Sequence, residues 1–256
     1  MSPHRPRKRF GQHFLNDPGV IDAIVQSVGA GKSDIIVEIG PGLGAITRSL
    51  AERAGTLHAI EFDRDLIAKL KHEYGNAANV TIHEADALRF DYNSLGDSLR
   101  IVGNLPYNIS TPLLFHLLKF RDRLVDMHFM LQKEVVDRMA ASPGSKAYGR
   151  LGIMLGCHFQ IDALFDVGKE SFDPPPKVTS AVVRLAPLPA GTYVINDEEA
   201  LSRLVATAFS QRRKTIRNSL SKVVGEAELV KAGIDPGLRP EAISIADYVR
   251  LANTLE

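Results

Sequence analysis

The ten residues IIVEIGPGLG, at positions 35–44, decide the fold of this chain. Their first half, apolar except for Glu38, predicts a short buried strand, and their second half predicts a tight glycine-rich turn into a helix. Such a turn lets the backbone approach a ligand closely and places that ligand near a helix N-terminus. The segment therefore predicts a parallel α/β sheet with a binding site at the end of a strand.

Short apolar runs alternate with helical patterns on both sides of this segment, which is typical of a sheet covered by helices on both faces. The predicted strands are 35–39, 57–61, 80–83, 100–102, 125–131, 158–165 and 178–185. The predicted helices are 18–28, 43–54, 64–74, 110–118, 133–141 and 148–156. From Asp197 onward only helical periodicity is found, so we expect an α/β domain at 1–186 and a small all-helical domain at 187–256.

The charge of the chain is nearly balanced overall but uneven along its length. The 256 residues carry a net charge of +1 and are 45% hydrophobic, which suits one α/β domain with a small appendage. Two stretches hold basic residues without any acid: Arg5, Arg7, Lys8 and Arg9, then Arg203, Arg212, Arg213, Lys214, Arg217 and Lys222. Two local basic patches fit a partner met over a limited surface, although a solvated tail and helix face are the alternative.

Several classes of protein are disfavoured by composition. A single cysteine, Cys157, excludes an internal disulfide and favours a reducing compartment, and its apolar surroundings predict a buried thiol. The histidines show no spacing typical of a metal site, so no metal is expected. No apolar stretch approaches the roughly 18 residues needed to cross a bilayer, and no signal region follows the basic start. We expect a cytoplasmic protein without membrane contact, and a monomer.

Acidic residues lie at or near the ends of the first three predicted strands. Glu61 ends the second strand, where a carboxylate can accept both hydroxyl protons of a ribose, and Gly40 and Gly42 precede it in the turn. NAD and S-adenosylmethionine share these features, so a dinucleotide stays an alternative. Asp86, after the third strand, can accept from an adenine amino group, which a dehydrogenase does not generally need. Glu38, inside the first strand, is expected to orient the loop or to attract the amino-acid end of S-adenosylmethionine; a buried acid satisfied by loop amides is the alternative.

The tetrapeptide Asn104-Leu105-Pro106-Tyr107 follows the fourth predicted strand. The exocyclic nitrogen of adenine is a poor nucleophile because its lone pair is delocalised, and acceptors for its N–H protons help to localise that pair. The Asn104 amide oxygen and the Leu105 carbonyl are the predicted acceptors, and Tyr107 is a predicted stacking face for a base turned out of its helix. Phe172 is predicted to sandwich the base against Tyr107; an ordinary core phenylalanine is the alternative.

These motifs together resemble the ribosomal RNA adenine N6,N6-dimethyltransferase family, and within it the branch that acts on the small subunit. The segments that carry the resemblance are KRFGQ at 8–12, EIGPG at 38–42, GNLPYNIS at 103–110, MLQKEV at 130–135 and PPPKV at 174–178. The resemblance implies a Rossmann-like class I methyltransferase fold, with a seven-stranded sheet and a small all-helical C-terminal domain. It also implies S-adenosylmethionine as the methyl donor, which leaves S-adenosylhomocysteine as the product.

The same resemblance implies a reaction and a partner. The expected reaction is dimethylation of the N6 amines of two adjacent adenines in a hairpin near the 3′ end of 16S rRNA, coupled to maturation of the small subunit. The expected partner is that RNA within the small ribosomal subunit or its precursor. A 23S rRNA resistance methylase and an assembly factor that acts mainly by binding remain as alternatives.

The resemblance also implies a set of site residues. Cofactor contacts are expected at His13, Leu15, Gly40, Gly42, Glu61, Asp86 and Asn104, and the adenine site at Asn104, Leu105, Tyr107 and Phe172. The two basic patches, independently of the resemblance, predict RNA contact at Arg7, Lys8, Arg9, Arg212, Arg213, Lys214 and Arg217. The segment 12–15 is predicted to fold over the cofactor as a lid or, alternatively, to cap the first helix. His13 stands where the family usually has asparagine, and because histidine changes charge near neutral pH, we expect cofactor affinity to be retained but pH-sensitive.

Overall fold

The structure is a computed structural model that describes residues 12–211 and 213–255. Its described residues form two compact units, one of residues 12–136 and 162–187 and the other of residues 137–161 and 188–255. This division differs from the predicted boundary at 186/187 in one segment. Residues 137–161, assigned from sequence to the first domain, group with the second unit because their helix packs on the C-terminal helices.

The predicted seven-stranded sheet is present, with the strand order β4-β3-β2-β5-β6-β9-β7, and a separate pair is formed by β1 and β8. The strands from β2 to β6 that are neighbours in this order run parallel, and β9 runs antiparallel to β6. The strand bounds are β1 Phe14–Leu15, β2 Ile35–Ile39, β3 Thr56–Glu61, β4 Val80–Glu84, β5 Leu99–Asn104, β6 Leu124–Gln132, β7 Phe159–Val167, β8 Phe172–Asp173 and β9 Ser180–Pro187.

Helices connect these strands and form most of the second unit. Their bounds are α1 Pro18–Val28, α2 Thr47–Arg53, α3 Arg64–Tyr74, α4 Ser110–Leu118, α5 Lys133–Met139, α6 Arg150–Gly156, α7 Glu198–Ser210, α8 Ile216–Leu220, α9 Glu226–Lys231 and α10 Ile245–Asn253. The bounds of α1, α3 and α4 agree with the sequence prediction. For α1 the signals are local: Asp17 caps its first backbone N–H groups, proline occupies its first turn, and Gly29 ends it with a φ of 61°.

The start of α2 was predicted wrongly. Helical periodicity placed it at residue 43, but the helix begins at Thr47. Gly40, Gly42 and Gly44 have φ angles of 67°, 61° and 82°, a left-handed conformation that a right-handed helix cannot contain. The turn after β2 therefore continues through all three glycines before the helix can form.

The order of the strands places the site. The chain runs outward from β2 to β3 and β4, then returns to β5 on the opposite side of β2. Because these strands are parallel, their carboxyl ends meet at one edge, and ligands of open α/β sheets bind where the strand order reverses. That position is the crevice between the ends of β2 and β5.

The second unit has its own apolar core, in which α7 packs against α6, α8 and α10. Leu201, Val205 and Tyr248 are fully buried there. Cys157 is buried in this unit, as predicted, and burial raises the pKa of its thiol to about 12, which disfavours the nucleophilic thiolate. No helix in the part of the chain that the structure describes is long and apolar enough to span a bilayer.

Candidate active site

A cavity of about 290 Å³ opens at the carboxyl edge of the sheet. Its walls are the loops that follow β2, β3, β4 and β5, together with the segment 12–15. All the cavity walls belong to the first unit. The predicted residues that line the cavity are His13, Leu15, Gly40, Gly42, Glu61, Asp86, Asn104, Leu105 and Tyr107.

Two positions beside the crevice, one in the glycine loop and one in β5, accept only glycine. Gly42 combines a φ of 61° with close packing, since a β-carbon there would lie 3.3 Å from the ring of Phe14. Gly103, in β5, faces the end of β2, and a β-carbon there would lie 2.6 Å from the Ile39 carbonyl oxygen. The absence of side chains at these positions keeps the floor of the crevice open and brings β2 and β5 together.

Glu61 is held rigidly at the end of β3. Its Oε1 accepts from the backbone N–H groups of Phe62 and Asp63 at 2.9 Å each, and its Oε2 accepts from Gly42 N at 3.3 Å. The side chain is buried, and burial raises the pKa of this carboxyl in spite of the three hydrogen bonds. Oε2 retains acceptor capacity, so Glu61 can receive hydroxyl protons from a ligand in the cavity.

Asp86 occupies the loop after β4. Its Oδ1 accepts from Leu88 N at 2.9 Å, which fixes the carboxylate, while Oδ2 lies 4.0 Å from the exposed Arg89. Apolar side chains of Ala87 and Leu88 accompany it in the cavity wall. An acceptor beside an apolar surface suits the edge and face of an adenine ring.

Glu38 is buried inside β2 and lines the cavity floor. Burial, opposed by the nearby Thr47 hydroxyl and helped by the negative charge of Glu61, raises its pKa to about 7. Its Oε2 has no hydrogen-bond partner among the described residues. A buried carboxylate oxygen without a partner is costly, so this side chain calls for a cationic or hydrogen-bond-donating ligand.

The segment 12–15 closes one side of the cavity and is tied down at both ends. Gln12 Nε2 donates to Asp63 Oδ2 at 3.2 Å, and Leu15 pairs with Phe172 through β1 and β8. Between them, His13 Nδ1 lies 2.7 Å from the Pro174 carbonyl oxygen, which can only accept, so Nδ1 carries the proton. We refer to residues 12–15 as the strap; its position over the cavity agrees with the predicted lid and not with a helix cap, which is Asp17.

The strap also orients the amide of Asn104. Asn104 Nδ2 donates to the His13 carbonyl oxygen at 3.0 Å. Because a carbonyl can only accept, the nitrogen of the amide must face His13 and the oxygen must face away from it. The side chain lines the cavity, so the geometry presents Oδ1 as an acceptor beside the Leu105 backbone.

Tyr107 is fixed at both its hydroxyl and its ring. The hydroxyl lies 2.9 Å from Ser180 Oγ, and the ring stacks on His13 with centroids 6.0 Å apart and planes 28° from parallel. Burial raises the pKa of the phenol, so it stays neutral across the physiological range. The ring is available as an apolar wall next to the Asn104 amide.

Phe172 does not form the predicted sandwich with Tyr107. It is 4% exposed and packs in the core cluster that contains Leu15, Ile24 and Val182. The pairing of β8 with β1 turns its side chain inward, so the alternative of a core phenylalanine describes this structure. The aromatic ring that faces Tyr107 belongs to His13.

Sequence reasoning missed four residues of the site. Leu43 and Phe62 line the cavity and are 48% and 61% exposed, which is unusual for large apolar side chains. Their position directly beside the glycine loop and Glu61 was a usable signal. Asp63 holds the strap through Gln12, and Ser180 holds the Tyr107 hydroxyl. No sequence pattern links Asp63 to the strap or Ser180 to Tyr107.

The residues present fit S-adenosylmethionine better than NAD. Glu38, Glu61 and Asp86 place three carboxyl groups around the cavity, whereas the pyrophosphate of a dinucleotide would be repelled by them. A ligand with a sulfonium, an ammonium group, a ribose and an adenine supplies positive charge for Glu38, hydroxyls for Glu61 and an amino group for Asp86. The cofactor is therefore S-adenosylmethionine.

The predicted RNA-binding residues lie partly outside the described part of the chain. Arg7, Lys8, Arg9 and Arg212 are outside it. In the second unit, Arg213 and Lys214 are exposed in the loop between α7 and α8, and Arg217 in α8 lies 3.4 Å from Glu226. Among residues 12–211 and 213–255, no group of three or more His, Cys, Asp or Glu side chains is arranged to hold a metal ion.

Known proteins are similar to this chain in sequence and in fold. A protein of Aromatoleum aromaticum named ribosomal RNA small subunit methyltransferase A is 56% identical to this chain over 253 residues. The alignment covers 99% of this chain and 95% of the relative. The protein of the same name from Thiobacillus denitrificans is 58% identical over 245 residues, and the alignment covers 96% of each chain.

Solved structures agree with the sequence comparisons. A dimethyladenosine transferase from Plasmodium falciparum superposes with a TM-score of 0.82 at 26% identity, covering 93% of this chain and 96% of that one. The 23S rRNA methyltransferase ErmE superposes with a TM-score of 0.75 at 25% identity, covering 94% and 99%. The family model for ribosomal RNA adenine dimethylase matches residues 3–256. This chain, with its acid-lined cavity and its Asn-Leu-Pro-Tyr loop, therefore belongs to the ribosomal RNA adenine dimethylase family.

Proposed function

We propose that this enzyme dimethylates the N6 amines of two adjacent adenines in a hairpin near the 3′ end of 16S rRNA, in the small ribosomal subunit or its precursor. The observation that carries the proposal is the Asn104 amide, which lines the cavity and whose Nδ2 donates to His13 O, so that Oδ1 remains as an acceptor. We further propose that the enzyme acts as a monomer in the cytoplasm, where the small subunit matures.

The chain's part in the reaction is to orient the amine. Asn104 Oδ1 and the Leu105 carbonyl accept hydrogen bonds from the two N–H groups of the adenine amine, which draws its lone pair out of conjugation and toward the cofactor. S-adenosylmethionine supplies an activated methyl group, so no strong base is required before transfer. The rate then depends on alignment of the nitrogen and on stabilisation of the charge that develops on it.

Tyr107 supports both requirements. Its ring offers a stacking face for a base taken out of its helix. As positive charge develops on the amine, the face of the ring stabilises it by about 1 kcal/mol through a cation–π interaction. The neutral phenol, fixed by Ser180, keeps this face in one orientation.

The similarity to named relatives favours the small-subunit RNA over the 23S RNA. Identity to the small-subunit enzymes is 56% and 58%, against 25% to ErmE. The formed cavity, with oriented Glu61 and Asn104, supports catalysis over a role limited to docking. An assembly factor that only binds would have no need of these contacts.

The proposal is tested by incubating the protein with labelled S-adenosylmethionine and unmethylated 30S particles, followed by mapping of the modified bases. Label on two neighbouring adenines near the 3′ end of 16S RNA is expected. Label on 23S RNA alone, offered as naked RNA in parallel, would favour the resistance methylase. Stable binding to 30S particles without any label would favour the assembly factor.

RNA contact is proposed for the basic residues of both patches: Arg7, Lys8, Arg9, Arg212, Arg213, Lys214 and Arg217. For the second patch, the proposal is supported by Arg213 and Lys214. Both side chains are exposed, and neither forms an ion pair within the described part of the chain. Arg217 is a weaker candidate because Glu226 partly neutralises it. Phosphate contacts by lysine and arginine release counterions, so they give binding a strong dependence on salt.

Replacing Arg212, Arg213 and Lys214 together by alanine is expected to weaken RNA binding and to reduce the slope of log affinity against log salt by about 2. Binding isotherms at several salt concentrations measure the slope, and cofactor affinity should not change. Replacing the exposed Arg53, Lys71 and Lys119 removes the same charge elsewhere and should leave the slope nearly intact. Equal slopes for wild type and the first variant would remove these residues from the interface.

The affinity for S-adenosylmethionine is expected to rise roughly tenfold between about pH 5.5 and 8, because each pKa unit corresponds to a factor of ten in binding. Burial holds the pKa of Glu38 at about 7, above its ordinary 4.5, so without cofactor the ionised form opposes folding. The contribution of Glu38 to stability is then fully present below about pH 4.5 and is lost as the pH rises through 7. A cationic ligand favours the ionised carboxylate and releases the proton.

Calorimetric titration of wild type, Glu38→Gln and His13→Asn separates the two sources of pH dependence. A flat profile in Glu38→Gln alone assigns the effect to the buried carboxyl, and a flat profile in His13→Asn alone assigns it to the imidazole. A wild-type dissociation constant that does not change with pH contradicts both expectations.

A further inference from the structure

Ser180 lies directly behind the aromatic wall of the site. It is the first residue of β9, opposite Gln132 at the end of β6, and it is 1% exposed. Because β9 runs antiparallel to β6, its first residue reaches the same edge of the sheet as the exits of β5 and β6. Its Oγ lies 2.9 Å from the Tyr107 hydroxyl.

The two hydroxyls depend on each other. Buried hydroxyl groups without a partner destabilise a protein, and neither of these oxygens is among the buried polar atoms that lack one. Ser180 stands on a strand and pairs with Gln132 at the end of the β6–β9 ladder, so it is the fixed member of the pair. Tyr107 stands on a loop, so it is the member whose position the bond determines.

We propose that Ser180 is a positioning residue for methyl transfer: it anchors the Tyr107 hydroxyl and thereby sets the plane against which the target adenine stacks. The proposal rests on the function proposed above and adds to it a residue that does not touch the cavity. With its hydroxyl anchored to Ser180 and its ring stacked on His13, Tyr107 cannot tilt without breaking a contact.

Fixed alignment matters most for the second methyl transfer. Transfer rates fall steeply when reacting atoms are misplaced, because the advantage of a bound complex lies in correct orientation. The monomethylated amine carries an additional methyl group and has fewer orientations in which its lone pair can face the donor. A loosened Tyr107 ring should therefore slow the second transfer more than the first.

The test compares Ser180→Ala with wild type in single-turnover methylation of 30S particles. The transfer rate is expected to fall about three- to tenfold, the effect of losing one neutral hydrogen bond. The ratio of monomethyladenine to dimethyladenine is expected to rise, while the dissociation constant for S-adenosylmethionine stays within about twofold. Ser180→Thr retains a hydroxyl and should restore both the rate and the product ratio.

Two further variants distinguish positioning from packing. Ser219→Ala removes another buried serine hydroxyl, in the second unit, and should leave the rate and the product ratio unchanged. Tyr107→Phe removes the other half of the bond, so Ser180→Ala should have no additional effect in that background. If the double variant loses rate by the product of the two single losses, the two side chains act independently and the proposal is overturned. An unchanged ratio of monomethyladenine to dimethyladenine in Ser180→Ala would also overturn it.

Failure of this proposal is distinguishable from failure of the proposed function. If wild type places no label on 16S RNA, the function is wrong. If wild type methylates and Ser180→Ala matches it in rate and product ratio, the function stands and the positioning role is wrong.

Discussion

Replacing Asn104 by alanine is expected to lower the rate of methyl transfer by about a hundredfold or more, while RNA affinity changes little. The substitution removes the acceptor that draws the amine's lone pair toward the cofactor, and removal of one such oriented polar group in an enzyme costs about 10²–10³ in rate. Single-turnover kinetics with saturating cofactor and 30S particles measure the effect separately from binding.

Asn104→Asp separates the two halves of the amide. Aspartate keeps an acceptor for the amine but cannot donate to the His13 carbonyl oxygen, which the Asn104 nitrogen now contacts at 3.0 Å. We expect an intermediate rate and a weaker hold on the strap, seen as faster proteolysis near residue 13. A rate for Asn104→Ala within about threefold of wild type would mean that this amide is not the acceptor, and the proposed chemistry would fail.

Replacing Glu61 by alanine is expected to raise the dissociation constant for S-adenosylmethionine about a hundredfold or more. The substitution removes a charged acceptor for ribose hydroxyls, and hydrogen bonds to charged groups contribute about 1.5–3 kcal/mol each. It also leaves the N–H groups of Gly42, Phe62 and Asp63 without the carboxylate that they now share. Isothermal titration calorimetry measures the affinity.

Glu61→Gln is the matched control for the loss of the backbone hydrogen bonds in this loop. Its amide oxygen can still accept from Phe62 and Asp63, so loop order and thermal stability should be retained while affinity falls. Binding to 30S particles in the absence of cofactor should be the same for both variants and wild type. RNA methylation by Glu61→Ala at ordinary cofactor concentration would show that the cofactor assignment is wrong.

Much of the site was predictable because its residues follow strands. The acids Glu61 and Asp86 and the Asn104–Tyr107 loop come directly after apolar runs, and parallel strands bring their carboxyl ends to one edge. The prediction failed where packing overrides a local pattern. Phe172 follows the rule for an aromatic on a stiff loop, but a two-residue pairing with Leu15 turns it into the core.

The sequence alone determined the order of strands and helices, the glycine turn after β2 and the polar residues at the strand ends. Each of these depends on contacts within a few residues, or on the regular geometry of a parallel sheet. Only the tertiary structure decided which side of the Asn104 amide faces the cavity and what anchors Tyr107. The deciding bonds join residues 91 and 73 positions apart, and no local pattern encodes the relative orientation of groups so distant along the chain.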